Sequence, residues 1–472
     1  MKSKKFFCML FALMFVFFVT LANMGCGGSS RKISDETIAS YGDIPIDDEH
    51  FWDYVFREYV REFDLDADDF LSDAERAAVT VIDVKGLMNY DSNAESQDTY
   101  SLLNSSSLKG IEYFTAMVSL DCSGNGLTEL DLSNNTALQY LNCSNNRLSN
   151  LDLSNNTALQ YLDCSYIQIM SLRLGNNTAL KYLDCSNNRL WRALDISKCT
   201  VLESLNCSLN LHLEILDVSN NTALKELNCS GCGLSNLDVS NNTALQYLAC
   251  SGNHIMNLNL SNNTALKELN CSGCELSNLD VSKNTALVTL DCGSNKLTNL
   301  DVSNNIALVS LNCSQNQLTN LDVSKNTALE GLDCNLNQLT NLDVSNNTAL
   351  QSLGCNANQL TNLDLSKNTA LKSLGCGSNQ LTNLDLSNNI ALESLGCNNN
   401  QLTSLDLSKN TALKSLGCNN NQLTSLDVTK CTELRTLHCD NNQIKILDLR
   451  NNKNIGEYGP DLSYDSDVTV LR

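Results

Sequence analysis

The segment Leu138–Ala158 reads L-Q-Y-L-N-C-S-N-N-R-L-S-N-L-D-L-S-N-N-T-A and recurs with small changes from Met117 to Ile455. One cysteine marks each copy, and consecutive cysteines lie 21 residues apart, except that the steps from 185 to 207 and from 207 to 229 span 22. A fixed period of this length predicts a solenoid, in which each copy is one coil and buries its apolar side chains only by stacking on its neighbours. The cysteines, which number the coils from 1 to 16, are Cys122, Cys143, Cys164, Cys185, Cys207, Cys229, Cys250, Cys271, Cys292, Cys313, Cys334, Cys355, Cys376, Cys397, Cys418 and Cys439.

Each coil contains two short extended segments and leaves no room for a helix. Leucine and cysteine alternate with polar residues in the first segment, so one face is buried and the other faces water. The pattern L-x-x-L-x-C-x-x-N-x-L matches the strand and turn of leucine-rich repeats, with cysteine in one aliphatic position. The sequence therefore predicts a mainly β repeat solenoid with parallel strands over residues 117–455, about 16 coils long.

Two rows of asparagine accompany the strands, one containing Asn146 and the other Asn156, and both are expected to tie the turn backbone of one coil to the next. Cysteine replaces asparagine in these rows at Cys199, Cys232, Cys274 and Cys431. The C-x-x-C pairs at Cys229 and at Cys271 resemble zinc half-sites. Each pair nevertheless combines a ladder cysteine with a turn cysteine, and this favours a structural role. The ladder cysteines are expected to be buried, inert thiols, because parallel Cβ vectors disfavour the disulfide dihedral near 90°.

Cysteine in place of leucine, together with L-D-[VL]-S-x-N-T-A-L, resembles the cysteine-ladder leucine-rich repeat domains of the internalin family. The resemblance covers about 340 of the 472 residues. It implies a right-handed solenoid on a bacterial surface that serves adhesion or ligand binding, and it supplies no ligand. The chain has no LPxTG-type sorting motif, so attachment is expected at the N-terminus.

Residues 1–25 are predicted to be an export signal, because three lysines precede the apolar run Phe6–Leu21. Gly25 and Cys26, followed by small residues, resemble a bacterial lipoprotein cleavage site, although Asn23 stands where an aliphatic residue is usual. We expect Cys26 to carry the lipid and residues 26–45 to form the tether. Secretion without lipid and an uncleaved anchor are the alternatives.

Residues 46–116 are predicted to form an N-terminal cap. Apolar residues from Trp52 to Phe63 recur at helical spacing. The segment Asp64–Glu75 that follows matches an EF-hand loop, with Asp69 where glycine is usual. Its candidate ligands for one structural calcium ion are Asp64, Asp66 and Asp68 by their carboxylates, Phe70 by its carbonyl, Ser72 through water and Glu75 as the bidentate residue. The alternative is an acidic turn whose carboxylates are simply hydrated.

The segments on either side of the array are also expected to contain some regular secondary structure. Val79–Leu87 looks like a half-coil, and residues 89–107 look like an inserted loop. Residues 456–472 are predicted to form a C-terminal cap, in which Val468–Leu471 is a closing strand over the last coil.

The water-facing residues of the first segment are the natural ligand-binding face. Exposed tyrosine offers a large contact area at low entropic cost, although aromatic ladders also stabilise a sheet without binding anything. Coils 12–15 carry only S-L-G-C at this face, which suits a spacer. The irregular stretch Ser165–Leu213 breaks the repeat, as grafted functional sites often do. The candidate face residues are Tyr140, Asn142, Tyr161, Asp163, Tyr182, Asp184 and Tyr247.

Aspartate recurs on the opposite edge of the coils, beginning with Asp131 and Asp152. Local hydrogen bonds from backbone and hydroxyl groups, with nearby lysines, are expected to offset the repulsion between these charges. A row of bound cations is the alternative.

The net charge of −22 argues against nucleic acid and anionic lipid surfaces as partners. The four histidines are far apart in sequence, and no nucleophile–base pattern accompanies them, so we predict no enzyme. The predicted function is that of a surface lipoprotein, held to the membrane by its N-terminal lipid, that presents the array for adhesion or for binding an extracellular protein or glycan. The alternative is a structural spacer or cell–cell aggregation element without a dedicated ligand.

Overall fold

The computed structural model of the protein describes residues 41–86, 107–456 and 461–472. The expected export signal, Cys26 and nearly all of the expected inserted loop lie outside these residues. Asp43–Arg472 forms one compact unit, and the elements below belong to it.

The N-terminal cap is a helix–loop–helix unit. It contains β1 (Ile44–Pro45), α1 (Tyr54–Val60), a 3₁₀ turn (Arg61–Phe63), β2 (Phe70–Leu71) and α2 (Asp73–Ala78), and β1 pairs antiparallel with β2. Asp53 begins α1 by accepting hydrogen bonds from two backbone amides of the first turn. Trp52 therefore precedes the helix and is 67% exposed, so its assignment to the apolar face was wrong. Phe51, Phe56 and Val60 are the residues that this segment buries.

A 3₁₀ turn (Ile111–Tyr113) leads into the array. Every coil contributes one strand of about three residues to the main sheet, and some coils add a second short strand. The strands, in chain order, are β3 (Val81–Asp83), β4 (Ser119–Asp121), β5 (Tyr140–Asn142), β6 (Leu151–Asp152), β7 (Tyr161–Asp163), β8 (Leu172–Arg173), β9 (Tyr182–Asp184), β10 (Trp191–Leu194), β11 (Ser204–Asn206), β12 (His212–Leu216), β13 (Glu226–Asn228), β14 (Tyr247–Ala249), β15 (Glu268–Asn270), β16 (Thr289–Asp291), β17 (Ser310–Asn312), β18 (Gly331–Asp333), β19 (Ser352–Gly354), β20 (Ser373–Gly375), β21 (Ser394–Gly396), β22 (Ser415–Gly417), β23 (Thr436–His438), β24 (Ile446–Asp448), β25 (Leu462–Ser463) and β26 (Thr469–Leu471).

The main sheet, called the ladder sheet below, joins β3, β4, β5, β7, β9, β11, β13 to β23 and β25 as parallel neighbours. Adjacent coils pair in register, so that Leu141 lies beside Leu162 and Leu162 beside Leu183. At the two ends of the sheet β3 pairs with β4 and β25 pairs with β23. Among the described strands β3 and β25 do not pair with each other, so the sheet is open. The predicted parallel β solenoid is confirmed, and it begins with the half-coil at β3.

The core is a stack of leucine and cysteine side chains. Every one of the sixteen ladder cysteines is buried, and the described cysteines are free thiols. Burial raises the pKa of these thiols, that of Cys292 to about 12. Because the thiolate is the reactive form, such thiols behave as small apolar groups. The predicted ladder of buried cysteines is thereby confirmed.

The two asparagine rows connect consecutive coils as predicted. Asn146 Nδ2 donates to the carbonyls of Cys122, in the previous coil, and Cys143, at 3.0 and 2.9 Å, and its Oδ1 accepts from the Leu127 amide at 3.1 Å. Asn156 Nδ2 donates to the Leu132 carbonyl at 2.9 Å. Each coil thus satisfies polar backbone groups that its neighbour would otherwise bury unpaired.

The turn cysteines take over part of this role. Cys232 occupies in coil 6 the position that Asn146 occupies in coil 2. Its Sγ donates to the Cys207 carbonyl of the preceding coil at 3.2 Å. Within residues 41–86, 107–456 and 461–472, the one group of three potential metal ligands consists of aspartates in the cap, and it includes no cysteine. The turn cysteine of each C-x-x-C pair thus forms a hydrogen bond to the preceding coil, as Cys274 does to the Cys250 carbonyl at 3.0 Å.

The C-terminal end adds one more coil. β25 pairs with β23 in the ladder sheet, and β26 pairs parallel with β24 on the other side of the coil. β26 lies within the segment expected to form the closing strand.

Candidate functional site

Tyr140, Tyr161 and Tyr182 form a continuous stack on the ladder sheet. Their ring centroids are 4.5 and 4.4 Å apart, and consecutive rings are inclined by only 12° and 2°. Parallel strands in register cause this, because equivalent side chains of adjacent coils lie one strand spacing apart. The rings cover one another's faces, so the stack offers its edges and hydroxyls to a partner. Tyr140 is the most buried of the three, and burial raises its pKa.

Tyr247 does not join the stack. It lies on β14, and β11 and β13 separate it from β9, so Ser204 and Glu226 occupy the two intervening positions. Its sequence position is equivalent to that of the other tyrosines, but the distance along the sheet makes it a separate feature.

A polar row runs beside the stack, one residue before each ladder cysteine. Asn142 Nδ2 donates to Asp121 Oδ2 at 3.1 Å, and Asn206 Nδ2 donates to Asp184 Oδ2 at 2.8 Å. Sequence reasoning missed Asp121 and Asn206, although their fixed offset from the cysteines would have identified them.

Asp163 and Asp184 are neighbours in this row with no amide between them. Burial, followed by the charge of Asp184, raises the pKa of Asp163 to about 6. Ser165 offsets part of this rise in pKa, because its backbone amide and its hydroxyl donate to Asp163 Oδ1 at 3.0 and 2.7 Å. The face therefore combines aromatic edges with partly buried carboxylates and amides, which suits hydrogen bonding to a protein or glycan.

The uniform coils present a different face. A Cβ atom added to Gly354 would come within 2.8 Å of Asn335 Nδ2, and one added to Gly375 within 2.5 Å of Asn356 Nδ2. Surface asparagines of the preceding coil therefore fill the space that a recognising side chain would need. This holds for coils 12 and 13 only, because a Cβ atom added to Gly417 in coil 15 would meet nothing within 4 Å.

The aspartates on the opposite edge of the coils accept hydrogen bonds from neighbouring residues of their own turns. Asp131 Oδ1 accepts from the Ser133 amide at 2.9 Å, and Asp152 Oδ1 accepts from both the amide and the hydroxyl of Ser154, at 3.0 and 2.6 Å. The Ser154 hydroxyl is the main cause of the lowered pKa of Asp152. These turns give both aspartates local hydrogen-bond donors, as the sequence predicts.

The described histidines show no catalytic arrangement. His438 Nδ1 lies 2.9 Å from Ser463 Oγ, which resembles part of a catalytic triad. The Ser463 hydroxyl, however, donates to Asp440, which would have to orient the histidine in a triad. His254 instead pairs with Glu275 at 2.9 Å, on an exposed surface.

The loop of the cap brings three of its candidate calcium ligands together. Carboxylate oxygens of Asp64, Asp66 and Asp68 lie within 4.8 Å of one another. Asp69 adopts a φ of 65°, the left-handed conformation for which EF-hand loops use glycine, and its carboxylate pairs with Arg61.

Glu75 closes the loop from its other end. Its Oε1 accepts from the Leu65 amide at 2.7 Å, and its Oε2 accepts from the amide and hydroxyl of Ser72, both at 2.8 Å. Burial and the neighbouring carboxylates raise the pKa of Asp66. A divalent cation would relieve that repulsion, with Phe70 supplying its carbonyl as the sequence predicts.

The structure resembles the functional domain of InlJ from Listeria monocytogenes, a solved structure with a cysteine ladder, at 31% identity over 91% of this chain and 82% of that one, with a TM-score of 0.60. The chain belongs to the internalin family. No family profile and no curated protein matches its sequence.

This internalin-family chain shares its fold with more distant leucine-rich repeat proteins. The protein LIC12759 from Leptospira interrogans is 22% identical over 83% of this chain and 97% of its own, with a TM-score of 0.63. A TDR receptor is 22% identical over 76% of this chain and 70% of its own, with a TM-score of 0.65. At these identities the likeness concerns the fold alone. In the described residues, no helix has the length and apolar composition needed to cross a membrane.

Proposed function

We propose that this chain is a protein-binding leucine-rich repeat domain displayed on a bacterial surface, with its partner site at the tyrosine stack of coils 2–4. The observation that carries the proposal is the stack itself, in which Tyr140, Tyr161 and Tyr182 lie 4.4–4.5 Å apart beside a row of partly buried carboxylates. Most coils place serine, threonine, glutamate or glycine at the same position of the sheet.

Three features support a protein partner. Leucine-rich repeat neighbours support a protein-binding domain, and internalin-like neighbours are surface or secreted bacterial proteins. Tyrosine is among the residues that contribute most to interface energies, and a pre-stacked row loses little side-chain entropy on binding. The donors and acceptors beside it, including Asn142 and Asp163, can fix the orientation of a partner. A glycan ligand uses the same chemistry and is distinguished by experiment.

The test is adhesion of beads coated with the full chain to cultured host cells and to bacteria of the producing strain. The test variant changes Tyr140, Tyr161 and Tyr182 to serine, the residue that many other coils carry there. The matched control changes Ser373, Ser394 and Ser415 to alanine on the same row of the sheet. Circular dichroism and melting temperature establish that both variants remain folded.

Loss of adhesion in the tyrosine variant alone supports the proposal. Sensitivity of the bound surface to protease identifies a protein partner, and sensitivity to periodate identifies a glycan. Equal adhesion of all three proteins contradicts the proposal and favours the alternative, a spacer or cell–cell aggregation element without a dedicated ligand.

Export and anchoring through Cys26 remain part of the proposal. Metabolic labelling with a radioactive fatty acid, compared between the natural chain and Cys26→Ala, tests the anchor. Label that persists in the variant contradicts it.

A structural calcium ion in the cap is the second proposed feature. Asp64, Asp66 and Asp68 would hold it, with Glu75 closing the loop. The ion would fix the helix–loop–helix unit that covers the apolar end of the first coils.

A further inference from the structure

The only two extra residues in the otherwise regular 21-residue period occur in consecutive coils and at the same edge. Most coils have two residues, such as Ser149 and Asn150, between two buried leucines, whereas coil 4 has three, Trp191 to Ala193. Coil 5 has Leu211 and His212 where other coils have one residue, such as Arg147. The two insertions therefore flank the same repeat position, on one side of Leu190 in coil 4 and on the other side of Leu213 in coil 5.

The side chains at and beside the insertions are exposed and largely apolar. Trp191 is 59% exposed, Leu211 69% and Ile215 56%, and Met170 of the preceding coil is exposed as well. Met170 adjoins Trp191, because its carbonyl accepts from the Trp191 amide at 3.1 Å. Contiguous exposed apolar side chains of this size are uncommon on soluble proteins unless they bind something.

The insertions build a local structure of their own. β10 and β12 pair as a separate two-stranded parallel sheet, in which Trp191 lies opposite His212 and Ala193 opposite Ile215. The Trp191 and His212 rings are 5.3 Å apart and inclined by 46°. This contact supports one side of the indole, and the remainder stays exposed to a partner.

A bulge in this sheet directs Arg192 outward. The register shifts between Trp191 and Ala193, and Arg192 adopts a φ of 64°, which no other described coil shows at this position. Bulges redirect side chains, and a left-handed arginine is a costly backbone choice that persists at functional sites.

Arg192 and Arg189 flank the tryptophan and are exposed. Among the described residues neither guanidinium forms an ion pair, even though Glu214 lies on the neighbouring strand. Two unpaired arginines beside a fixed tryptophan and a methionine match the composition of protein-interface centres, which are rich in these residues and poor in lysine, aspartate and serine.

We propose that the edge formed by Met170, Arg189, Trp191, Arg192, Leu211 and Ile215 is a second docking surface, for a segment of a partner protein that presents a carboxylate beside an apolar side chain. The apolar side chain packs on Trp191, and the carboxylate accepts hydrogen bonds from the arginines. The charge of the edge argues for an acidic occupant, since two unpaired cations stand on a chain whose net charge is −22. This surface does not include the tyrosine stack, so either proposal can fail without the other.

The test is selection of a displayed library of random 12-residue peptides on the full chain. Counter-selection uses a variant in which both turns have the ordinary length, with Trp191-Arg192-Ala193 replaced by Ser-Asn and Leu211-His212 replaced by Arg. Retained clones are then measured against Arg189→Glu/Arg192→Glu and Trp191→Ser, which change only exposed side chains. Met256→Ser, an exposed methionine two coils beyond His212, is the matched control.

The expected clones place Asp or Glu next to Leu, Phe or Trp. Charge reversal of the arginines is expected to weaken them at least about tenfold, and Met256→Ser to leave them unchanged. The proposal is overturned if no clone distinguishes the two chains, if the clones lack acidic residues, or if charge reversal has no effect. Light scattering that shows a dimer lost in Trp191→Ser would also overturn it, because the occupant would then be a second copy.

Discussion

Asp184→Asn is expected to stabilise the protein at neutral pH and to leave its stability in mild acid almost unchanged. In the natural chain Asp163 and Asp184 are adjacent carboxylates, and the pKa of Asp163 is raised from 3.8 to about 6. Folded Asp163 therefore holds its proton more tightly than the unfolded chain does. Its contribution to stability is present at low pH and is lost as the pH rises through about 6.

The size of this loss follows from the shift. A rise of about two pKa units corresponds to about 3 kcal/mol at neutral pH, of which burial supplies the larger part and Asp184 the next. Asn142 and Asn206 show what an amide does at position 184, because each donates to the aspartate of the preceding coil. An asparagine at 184 would donate to Asp163 in the same way. We expect a gain of about 1–2 kcal/mol at pH 7.5.

The assay is urea unfolding followed by circular dichroism at pH 4.5 and 7.5. The control is Asp322→Asn on the opposite edge, where the amide and hydroxyl of Ser324 lower the pKa of the aspartate. Stability from a lowered pKa is lost only as pH falls through that pKa, so the effect of Asp322→Asn should be similar at both pH values. A destabilising effect of Asp184→Asn that is equal at pH 4.5 and 7.5 would refute the reasoning.

Three further outcomes are expected. Calcium should raise the melting temperature of the protein and bind with measurable heat in calorimetry. Glu75→Gln keeps the capping hydrogen bond but removes the charge, so it should abolish both effects. Equal heat of calcium binding in the variant would contradict the site. Asn316→Ala should lower the free energy of unfolding, measured in urea, by about 3 kcal/mol, because the Asn316 amide donates to the carbonyls of Cys292 and Cys313 at 3.0 and 3.1 Å. The control, Gln317→Ala at an exposed position, should change this free energy little. The native protein should show no rapid reaction with Ellman's reagent and all described cysteines should react in urea without reductant; a shortfall caused by disulfides would contradict the free-thiol ladder.

Periodicity made most of the fold predictable. Each coil repeats the same alternation of leucine and cysteine, so a single period specifies which side chains are buried and which strands are neighbours. The asparagine rows were equally readable, because an amide beside a turn in every coil has its neighbour's backbone within reach. The start of α1 was misread by two residues, since Asp53 caps the helix, Tyr54 is its first residue and Trp52 lies outside it.

The sequence by itself determined the register of the array, the buried thiols and the positions of equivalent residues, because a strict period fixes all three. Only the tertiary structure decided which equivalent residues interact. Tyr140, Tyr161 and Tyr182 stack, whereas Tyr247 lies two strands too far along the sheet. The pairing of Trp191 with His212 arises from two insertions that shift the chain out of the period, so no repeat pattern encodes it.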